Sequence, residues 1–136
     1  MSDYTVLRAA DAPDYTGEHP GAFLGYARPM GSEQLGVNVR VLEPGMAHMP
    51  PGGDPTRGHS HRTIEEIYFV LDGELTIKLG DDVLTLGPRD AVLMPAGTPR
   101  ATRNDSDSEV AFLMISAKVE DPRAESVGHE RFWLDL

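Results

Sequence analysis

Apolar and polar residues alternate along several short segments of this chain, and glycine or proline separates most of these segments. The clearest alternation runs over residues 35–42, and a second over residues 74–79 places Leu75, Ile77 and Leu79 on one face. A period of two is typical of a strand with one buried face. Because no stretch has a convincing apolar period of 3.6 residues, the pattern predicts an all-β protein.

The same pattern, with its turn residues, predicts a series of closely spaced strands. Two weak candidates at residues 4–8 and 22–26 are suited to edge or partner pairing. In the strand at 35–42, Val37, Val39 and Val41 are expected on the buried face, with Asn38 and Arg40 on the polar face. The remaining predicted strands cover residues 65–71, 74–79, 83–86, 91–94, 100–104 and 110–117.

The connections between these segments predict the architecture. Asp72-Gly73 is typical of a tight hairpin turn, whereas residues 46–58, rich in proline and glycine, predict a loop that borders a pocket mouth. In the tail, residues 120–136, a short helix is expected, with Phe132, Trp133 and Leu134 docking on the body. Many short strands at this spacing favour a β-sandwich or β-barrel.

Length and composition narrow the range of functions. The 136 residues predict one domain, and the absence of cysteine excludes disulfides, thiolate ligands and a cysteine nucleophile. A formal net charge of -10 argues against nucleic acid or a membrane surface as partner, so a small organic ligand is expected. The amino terminus lacks the features of a secretory signal, and no apolar run reaches the roughly 18 residues of a membrane span. These features predict a cytoplasmic protein.

One stretch carries the residues of a metal site. His59 and His61 are two positions apart, so on an extended strand both side chains leave the same face, and Glu66 begins the next apolar run. Two imidazoles and a carboxylate suit Fe(II), Mn, Ni, Zn or Cu, depending on geometry and open coordination positions. Glu65 competes with Glu66, because adjacent strand residues face opposite sides and only one can point inward.

The spacing of these residues resembles the first motif of the cupin family. That motif is glycine, five residues, His-x-His, three or four residues, glutamate, six residues and glycine. Gly53, His59, His61, Glu66 and Gly73 match it in full, which also selects Glu66 over Glu65 as the inward carboxylate.

The second cupin motif is matched only in part. Pro95, Gly97 and Asn104 occupy expected positions, but Arg89 replaces the leading glycine and Arg100 replaces the histidine that is normally the fourth metal ligand. The resemblance covers roughly residues 35–117 of a single domain spanning 1–136, with N-terminal strands in 1–34 and a C-terminal tail in 118–136.

The resemblance implies a double-stranded β-helix, or jelly-roll barrel, with a metal inside and substrates entering at one open end. Cupins include dioxygenases, isomerases, epimerases, decarboxylases, lyases and non-catalytic binding or storage proteins, so the fold alone does not choose a chemistry. The resemblance also implies a quaternary structure, because cupins of this size form obligate or stable dimers in which sheets of two subunits pair. A homodimer is therefore expected.

Arg100 determines how the site is interpreted. A guanidinium cannot ligate a cation, and a unit charge about 5 Å from a divalent ion costs on the order of 6 kcal/mol at an effective dielectric near 20. Glu66 would offset part of this repulsion, and three protein ligands leave positions open. Arg100 could instead bind a substrate carboxylate or phosphate, or it could face solvent.

Other residues are candidates for the same pocket. His48, in the loop after residue 42, is a candidate fourth ligand, although a loop histidine is also ordinary polar surface. Tyr68 lies two residues after Glu66 and could line the cavity as a hydrogen-bond donor or acid, or pack in the core. Arg40 is a further candidate for substrate binding.

Two hypotheses follow from these residues. The first is a metal-binding cupin acting on a small anionic molecule by oxygen insertion, isomerisation or elimination. His59, His61 and Glu66 would be its ligands and Arg100 its substrate anchor. The second is a metal-free cupin that binds a small molecule without turnover, with Arg100 paired to Glu66.

Overall fold

A computed structural model describes residues 3–49 and 53–134 as two antiparallel sheets facing each other. The strands are β1 (Ala22–Gly25), β2 (Leu35–Leu42), β3 (Gly58–His61), β4 (Glu66–Asp72), β5 (Leu75–Leu79), β6 (Asp82–Leu86), β7 (Ala91–Met94), β8 (Arg100–Arg103), β9 (Val110–Ala117) and β10 (Ser126–His129). Sheet A has the strand order β1-β2-β9-β4-β7, and sheet B has the order β10-β3-β8-β5-β6. The all-β jelly-roll prediction is confirmed.

Helical structure is confined to two short segments of the described chain, a 3-10 helix (Ala9–Asp11) and α1 (Pro122–Glu125). The Asp121 side chain accepts hydrogen bonds from the first backbone amides of α1, and proline occupies its first turn, as is usual at helix starts. This confirms the short helix expected in the tail. Neither helix is long and apolar enough to cross a membrane.

The N-terminal prediction is only half right. β1 confirms the strand expected at residues 22–26, but residues 4–8 form no strand. Tyr4 is 77% exposed and Val6 is 58% exposed, so this segment buries little apolar surface that could hold it on a sheet edge.

The apolar core lies between the two sheets. Leu75 and Ile77 of β5 face it, as predicted, and both are fully buried. The core residues are Leu42, Tyr68, Val70, Leu75, Ile77, Met94, Val110, Phe112 and Met114. These side chains fill one part of the barrel interior. In the other part, inward-facing residues line a cavity that is described below.

The inward face of β2 is opposite to the one predicted. Arg40 is 3% exposed and Leu42 is fully buried, whereas Val37, Val39 and Val41 are only partly buried. Valines were expected to mark the core side because apolar burial drives folding. Here the inner side of β2 reaches a cavity, where hydrogen bonds from Nε and Nη1 partner the Arg40 guanidinium.

Asp72-Gly73 does not close a hairpin, contrary to the prediction. β4 belongs to sheet A and β5 to sheet B, so the chain crosses between sheets at this point. Gly73 has φ 78°, and a Cβ here would collide with the backbone oxygen of Glu109, so glycine is required. The tight hairpin instead joins β5 to β6, with Leu79 opposite Asp82.

The turn before β7 contains a non-glycine residue in a left-handed conformation. Arg89 has φ 70° at the position where the second cupin motif has glycine. Its backbone amide donates to the oxygen of Val70 at 2.9 Å, and the amide of Val70 donates to the oxygen of Asp90 at 2.9 Å. These hydrogen bonds fix the turn against β4.

The C-terminal tail covers the outer side of sheet B. Trp133 is 1% exposed, its backbone amide donates to the Thr56 oxygen at 2.8 Å, and the Arg103 guanidinium lies 4.0 Å from its ring centre. Lys78 Nζ lies 4.3 Å from the ring centre of Phe132. Docking of Phe132 and Trp133 is confirmed, but Leu134 is 69% exposed.

Asn104, a residue of the second motif, joins the two sheets at a corner. Its fully buried amide nitrogen donates to the backbone oxygens of Leu42 at 3.0 Å and Ser108 at 2.7 Å. Its amide oxygen accepts from the backbone and hydroxyl of Ser106. All of its side-chain hydrogen-bonding capacity is used inside the fold, so its role is structural.

Candidate metal centre

Three side chains from two strands meet inside the barrel. His59 and His61 lie on β3, and Glu66 is the first residue of β4. One ligand atom from each lies within 4.8 Å of the others, and His61 Nε2 is 3.5 Å from Glu66 Oε1. Glu65 is exposed, and of the two adjacent carboxylates Glu66 is the one that meets the histidines.

The arrangement fits a single transition-metal ion. Donor atoms about 2.1 Å from one ion are at most about 4.2 Å apart, so small side-chain rotations would bring the three atoms to that spacing. Glu66 Oε1 is buried and has no hydrogen-bond partner among the described residues. Its lone pairs are therefore available to a cation.

Burial keeps His59 in the neutral form that metal binding requires. The pKa of His59 is lowered to about 4, chiefly by desolvation and then by the nearby charge of Arg100, while Glu66 opposes this effect. At neutral pH the imidazole is therefore uncharged, with one lone pair free to ligate.

Arg100 points into the barrel and does not face solvent. It sits opposite His59 on the neighbouring strand β8 and is fully buried. Its Nη1 lies 3.7 Å from Glu66 Oε1. None of its three guanidinium nitrogens has a hydrogen-bond partner among the described residues, so Glu66 is its counter-charge.

An open cavity of about 890 Å³ adjoins the candidate centre. His59, His61 and Glu66 form part of its wall, and Tyr68 and Arg40 also line it. Arg100, which is fully buried, is not among the described lining residues. The cavity size is in the range of small-molecule sites.

Arg40 reaches the cavity in a fixed orientation. Its Nε donates to His48 Nδ1 at 3.0 Å, and its Nη1 donates to the Ala22 backbone oxygen at 2.8 Å. The ring of Phe23 lies beside it, 5.8 Å from the guanidinium carbon. A cation held in this way on a cavity wall can bind an anionic group.

His48 is placed beside the candidate centre but outside the three-residue cluster. Its ring packs between Phe23, Phe112 and His59, with centroids 5.9, 6.3 and 6.3 Å away. Desolvation lowers its pKa to about 3, with smaller contributions from His59 and Arg40. A neutral His48 that accepts a hydrogen bond at Nδ1 must carry its own proton on Nε2. The hydrogen bond at Nδ1 orients the Arg40 guanidinium.

Tyr68, two residues after Glu66, both lines the cavity and packs in the apolar core, so the two alternatives meet in one position. It is 1% exposed, and burial raises the pKa of its hydroxyl well above the usual value. The Glu66 carboxylate raises this pKa further. The hydroxyl therefore remains protonated at neutral pH and can act as a donor but not as a base.

The cavity mouth brings together residues that sequence reasoning did not select. Arg57 lies just before β3, and Arg123 lies in α1. The loop expected at 46–58 does border the mouth through Met49 and Asp54, while residues 50–52 lie outside the described residues. For Arg57 the signal in the sequence is its position inside the first motif. Arg123 has no such signal, because the long-range pairing of β10 with β3 brings it here.

The pKa of His48 predicts acid sensitivity of the metal-free protein. An unfolded histidine binds a proton near pH 6.5, whereas folded His48 does so only near pH 3. Acidification between these values therefore favours unfolding, by about 1.4 kcal/mol per pH unit for each such histidine. In chelator-treated protein, His48→Gln should reduce proton uptake on unfolding at pH 5 by about one, measured by the pH dependence of urea unfolding.

A matched control is His19→Gln, in an exposed loop of the same protein. An unchanged pH slope for His48→Gln would contradict the buried, neutral state of His48.

Comparisons with known proteins identify the fold family. Over 66 residues, the chain is 30% identical to the uncharacterised protein MJ1618 of Methanocaldococcus jannaschii. This match covers 48% of the chain and 53% of the relative, so the chain spans about half the length of that curated relative.

Two solved structures that the chain resembles are enzymes. One is a sugar phosphate isomerase of the cupin superfamily from Silicibacter pomeroyi, with TM-score 0.69 and 22% identity, covering 85% of this chain and 76% of that one. The other is the DMSP lyase of Ruegeria pomeroyi, with TM-score 0.54 and 31% identity, covering 71% and 43%. The first similarity, at this identity, concerns the fold.

A family model described as the cupin domain matches residues 45–116, more than half of the chain. The matched region includes the His-x-His strand, Glu66 and Asn104. This protein is a member of the cupin family.

Proposed function

We propose that this cupin is a metal-dependent enzyme acting on a small anionic organic molecule. The observation that carries the proposal is the cluster of His59, His61 and Glu66 on the wall of an open cavity that Arg40 also lines. The donor set suits a divalent transition metal such as Fe, Mn, Ni, Zn or Cu. Three protein ligands would leave coordination positions open towards the cavity.

The residues around the centre have separable roles in this proposal. A bound divalent metal would act as a Lewis acid on an oxygen of the substrate. His59 is neutral and ready to ligate, whereas Tyr68, kept protonated by burial, donates a hydrogen bond or a proton to the substrate. The apolar surroundings of these groups strengthen their electrostatic effects.

Arg40 is the substrate anchor in this proposal, in place of Arg100. Arg100 was expected to bind a substrate carboxylate, but it is fully buried and is not among the described residues that line the cavity. Arg40 lines it, and His48 holds its guanidinium in place. Arg57 and Arg123 also line the cavity, so its described lining contains three arginines and two carboxylates, Asp54 and Glu66. The cavity lining is therefore more basic than the strongly acidic chain as a whole.

Oxygen insertion, isomerisation and elimination are all compatible with this set of groups. A protonated Tyr68 next to the centre suits proton delivery to a leaving group or an enolate. The 31% identity to a lyase supports assaying elimination first.

The second candidate function is a metal-free cupin that binds a small molecule without turnover. The 3.7 Å ion pair between Arg100 and Glu66 favours it, because an internal cation already faces the carboxylate that a metal would need. The two candidates differ in metal content and in their response to changes at Glu66 and Arg100.

The first prediction concerns metal content. Protein purified without chelator should retain at least about 0.5 equivalent of one transition metal per chain, as measured by elemental analysis. Glu66→Gln should lose most of it, because the change removes the only anionic ligand. The exposed neighbour provides the control: Glu65→Gln should retain the metal. Less than about 0.1 equivalent in the unaltered protein would favour the metal-free candidate.

The second prediction concerns the charge of Arg100. Replacing it with methionine keeps the bulk but removes the cation, so affinity for Zn²⁺ should rise at least tenfold, or about 1.4 kcal/mol. Arg100→His, which adds a donor, should raise it further, and Arg100→Lys, which keeps the charge, should not. Chelator competition measures all three. Equal affinities across the set would show that the arginine does not influence the centre.

The third prediction separates the two arginines as anion anchors. A panel of small carboxylates and phosphate monoesters is screened by thermal shift in the presence of Zn²⁺, and the tightest binder is measured by calorimetry. Arg40→Met should weaken its binding at least tenfold, or about 1.4 kcal/mol, and Arg100→Met should not. The exposed Arg8 provides a control as Arg8→Met. The opposite ranking would return the anchor role to Arg100.

A further inference from the structure

The Arg57 side chain brings an uncommitted cation to the cavity. It lies in the loop just before β3, is exposed and lines the cavity. Within residues 3–49 and 53–134, its guanidinium donates no hydrogen bond and forms no ion pair. Asp54, the carboxylate of the same loop, accepts instead from the amide and hydroxyl of Thr56, at 2.8 and 2.7 Å. Arg40 and Arg100, by contrast, are both buried.

A glycine on the neighbouring strand gives this guanidinium its place. Gly128 of β10 is the cross-strand partner of His59 in β3, so a side chain at position 128 would point into the cavity beside the His59 side chain. The Arg57 guanidinium occupies that space. A Cβ added to Gly128 would overlap its Nη2 and would lie 2.5 Å from its Cζ and Nε.

The space, and not the backbone, requires glycine at position 128. Gly128 is not among the residues with positive φ, so other amino acids could adopt its backbone conformation. A glycine inside a strand has no side chain to pack, and it often marks a place where another group approaches the backbone closely. Here the approaching group is the Arg57 guanidinium, which Gly128 admits to the cavity wall.

This placement puts a cation beside the candidate centre. The Cβ atoms of paired residues on antiparallel strands are on the order of 5 Å apart, so the Arg57 guanidinium lies about that far from the Cβ of His59. A chain of contacts continues from His59 to Arg40. The ring centres of His59 and His48 are 6.3 Å apart, and His48 Nδ1 accepts from Arg40 Nε. Two imidazole rings therefore separate Arg57 from Arg40.

We propose that Arg57, seated on Gly128, is a second anion subsite of this cavity, so that the ligand is a linear molecule with an anionic group at each end. The proposal rests on the function proposed above, in which Arg40 binds one of these groups. Arg57 binds the other group, and its unused donors suit a carboxylate or a phosphate. Phe23 and Met114, which line the same cavity, offer apolar surface to the carbon chain between the two groups.

The distribution of charge supports a ligand with two anionic groups. A formal net charge of -10 repels such a molecule from most of the protein surface, so binding requires a local excess of cations. Of the two carboxylates in the described lining, Glu66 faces Arg100 and Asp54 is held by Thr56. A ligand with a single anionic group at Arg40 would leave Arg57 without a counter-charge, whereas a second anionic group supplies one.

Calorimetry on Zn²⁺-loaded protein tests the second subsite. Succinate, adipate and suberate are compared with butyrate, hexanoate and octanoate, the monocarboxylates of the same lengths. The tightest dicarboxylate should bind at least about tenfold more tightly than its matched monocarboxylate, or about 1.4 kcal/mol. Arg57→Met should remove this difference and leave the monocarboxylate affinity unchanged. Arg8→Met, which removes a charge outside the described cavity lining, should preserve the difference.

Gly128→Ala tests the placement of the guanidinium without changing the charge. The added Cβ displaces only the end of a flexible side chain, so the variant should fold and should lose as much dicarboxylate affinity as Arg57→Met. The double variant should lose no more than either single one, because both changes remove the same contact. Gly87→Ala is the matched control, since its Cβ would meet only Asp90 Oδ2, at 3.7 Å. Far-UV circular dichroism confirms that each variant is folded.

Several results would overturn the second subsite. They are no binding of any of the dicarboxylates, equal affinities within every matched pair, losses that add in the double variant, or a monocarboxylate affinity that falls in Arg57→Met. The same titrations with chelator-treated protein and with Arg40→Met separate this proposal from the proposed function. A dicarboxylate preference that needs Arg57 but neither metal nor Arg40 would refute the proposed function and leave the second subsite standing.

Discussion

The register of β9 controls both surfaces of sheet A. This strand pairs with β2 along eight residues and with β4 on its other side, so its alternation sets which residues of three strands share a face. Shifting this pairing by one residue would exchange the two faces. Arg40 and Tyr68 would then leave the cavity, and Val39 and Phe69 would enter it. Cavity chemistry and outer-face packing thus depend on the same backbone hydrogen bonds.

Inside the barrel, the chemistry depends on a single carboxylate between a guanidinium and an imidazole. Glu66 faces Arg100 at 3.7 Å and His61 at 3.5 Å, and it is the acidic member of the candidate ligand set. A fully buried guanidinium without hydrogen bonds carries a large desolvation cost, which this carboxylate offsets in part. A metal ion would therefore share Glu66 with Arg100, and the affinity of the centre would be set by that competition.

Much of the fold and the central residues of the site could be predicted from the sequence. Alternation located most strands of the barrel, and the spacing of His59, His61 and Glu66 indicated that these side chains form a cluster. Alternation separates two faces but does not say which one is inside. For β2 the valines indicated the wrong face, because the barrel interior here is a cavity in which His48 holds the buried Arg40.

Other features depend on contacts between distant parts of the chain. The inward orientation of Arg100 follows from its pairing with His59, and Arg123 reaches the cavity mouth because β10 pairs with β3. Asp72-Gly73 has the local chemistry of a hairpin, but the pairing of β4 with β9 and β7 sends the chain to the other sheet. The local sequence around each of these residues does not indicate which distant strand it will pair with.

The two departures from the second cupin motif have different physical consequences. At Arg89 the missing glycine is a matter of backbone shape: the residue keeps the left-handed conformation, and hydrogen bonds to Val70 retain the turn. At Arg100 the backbone pairing is kept but a potential ligand becomes a fixed positive charge. Divergence in this barrel can therefore leave its geometry unchanged while reversing the electrostatic character of one position in its centre.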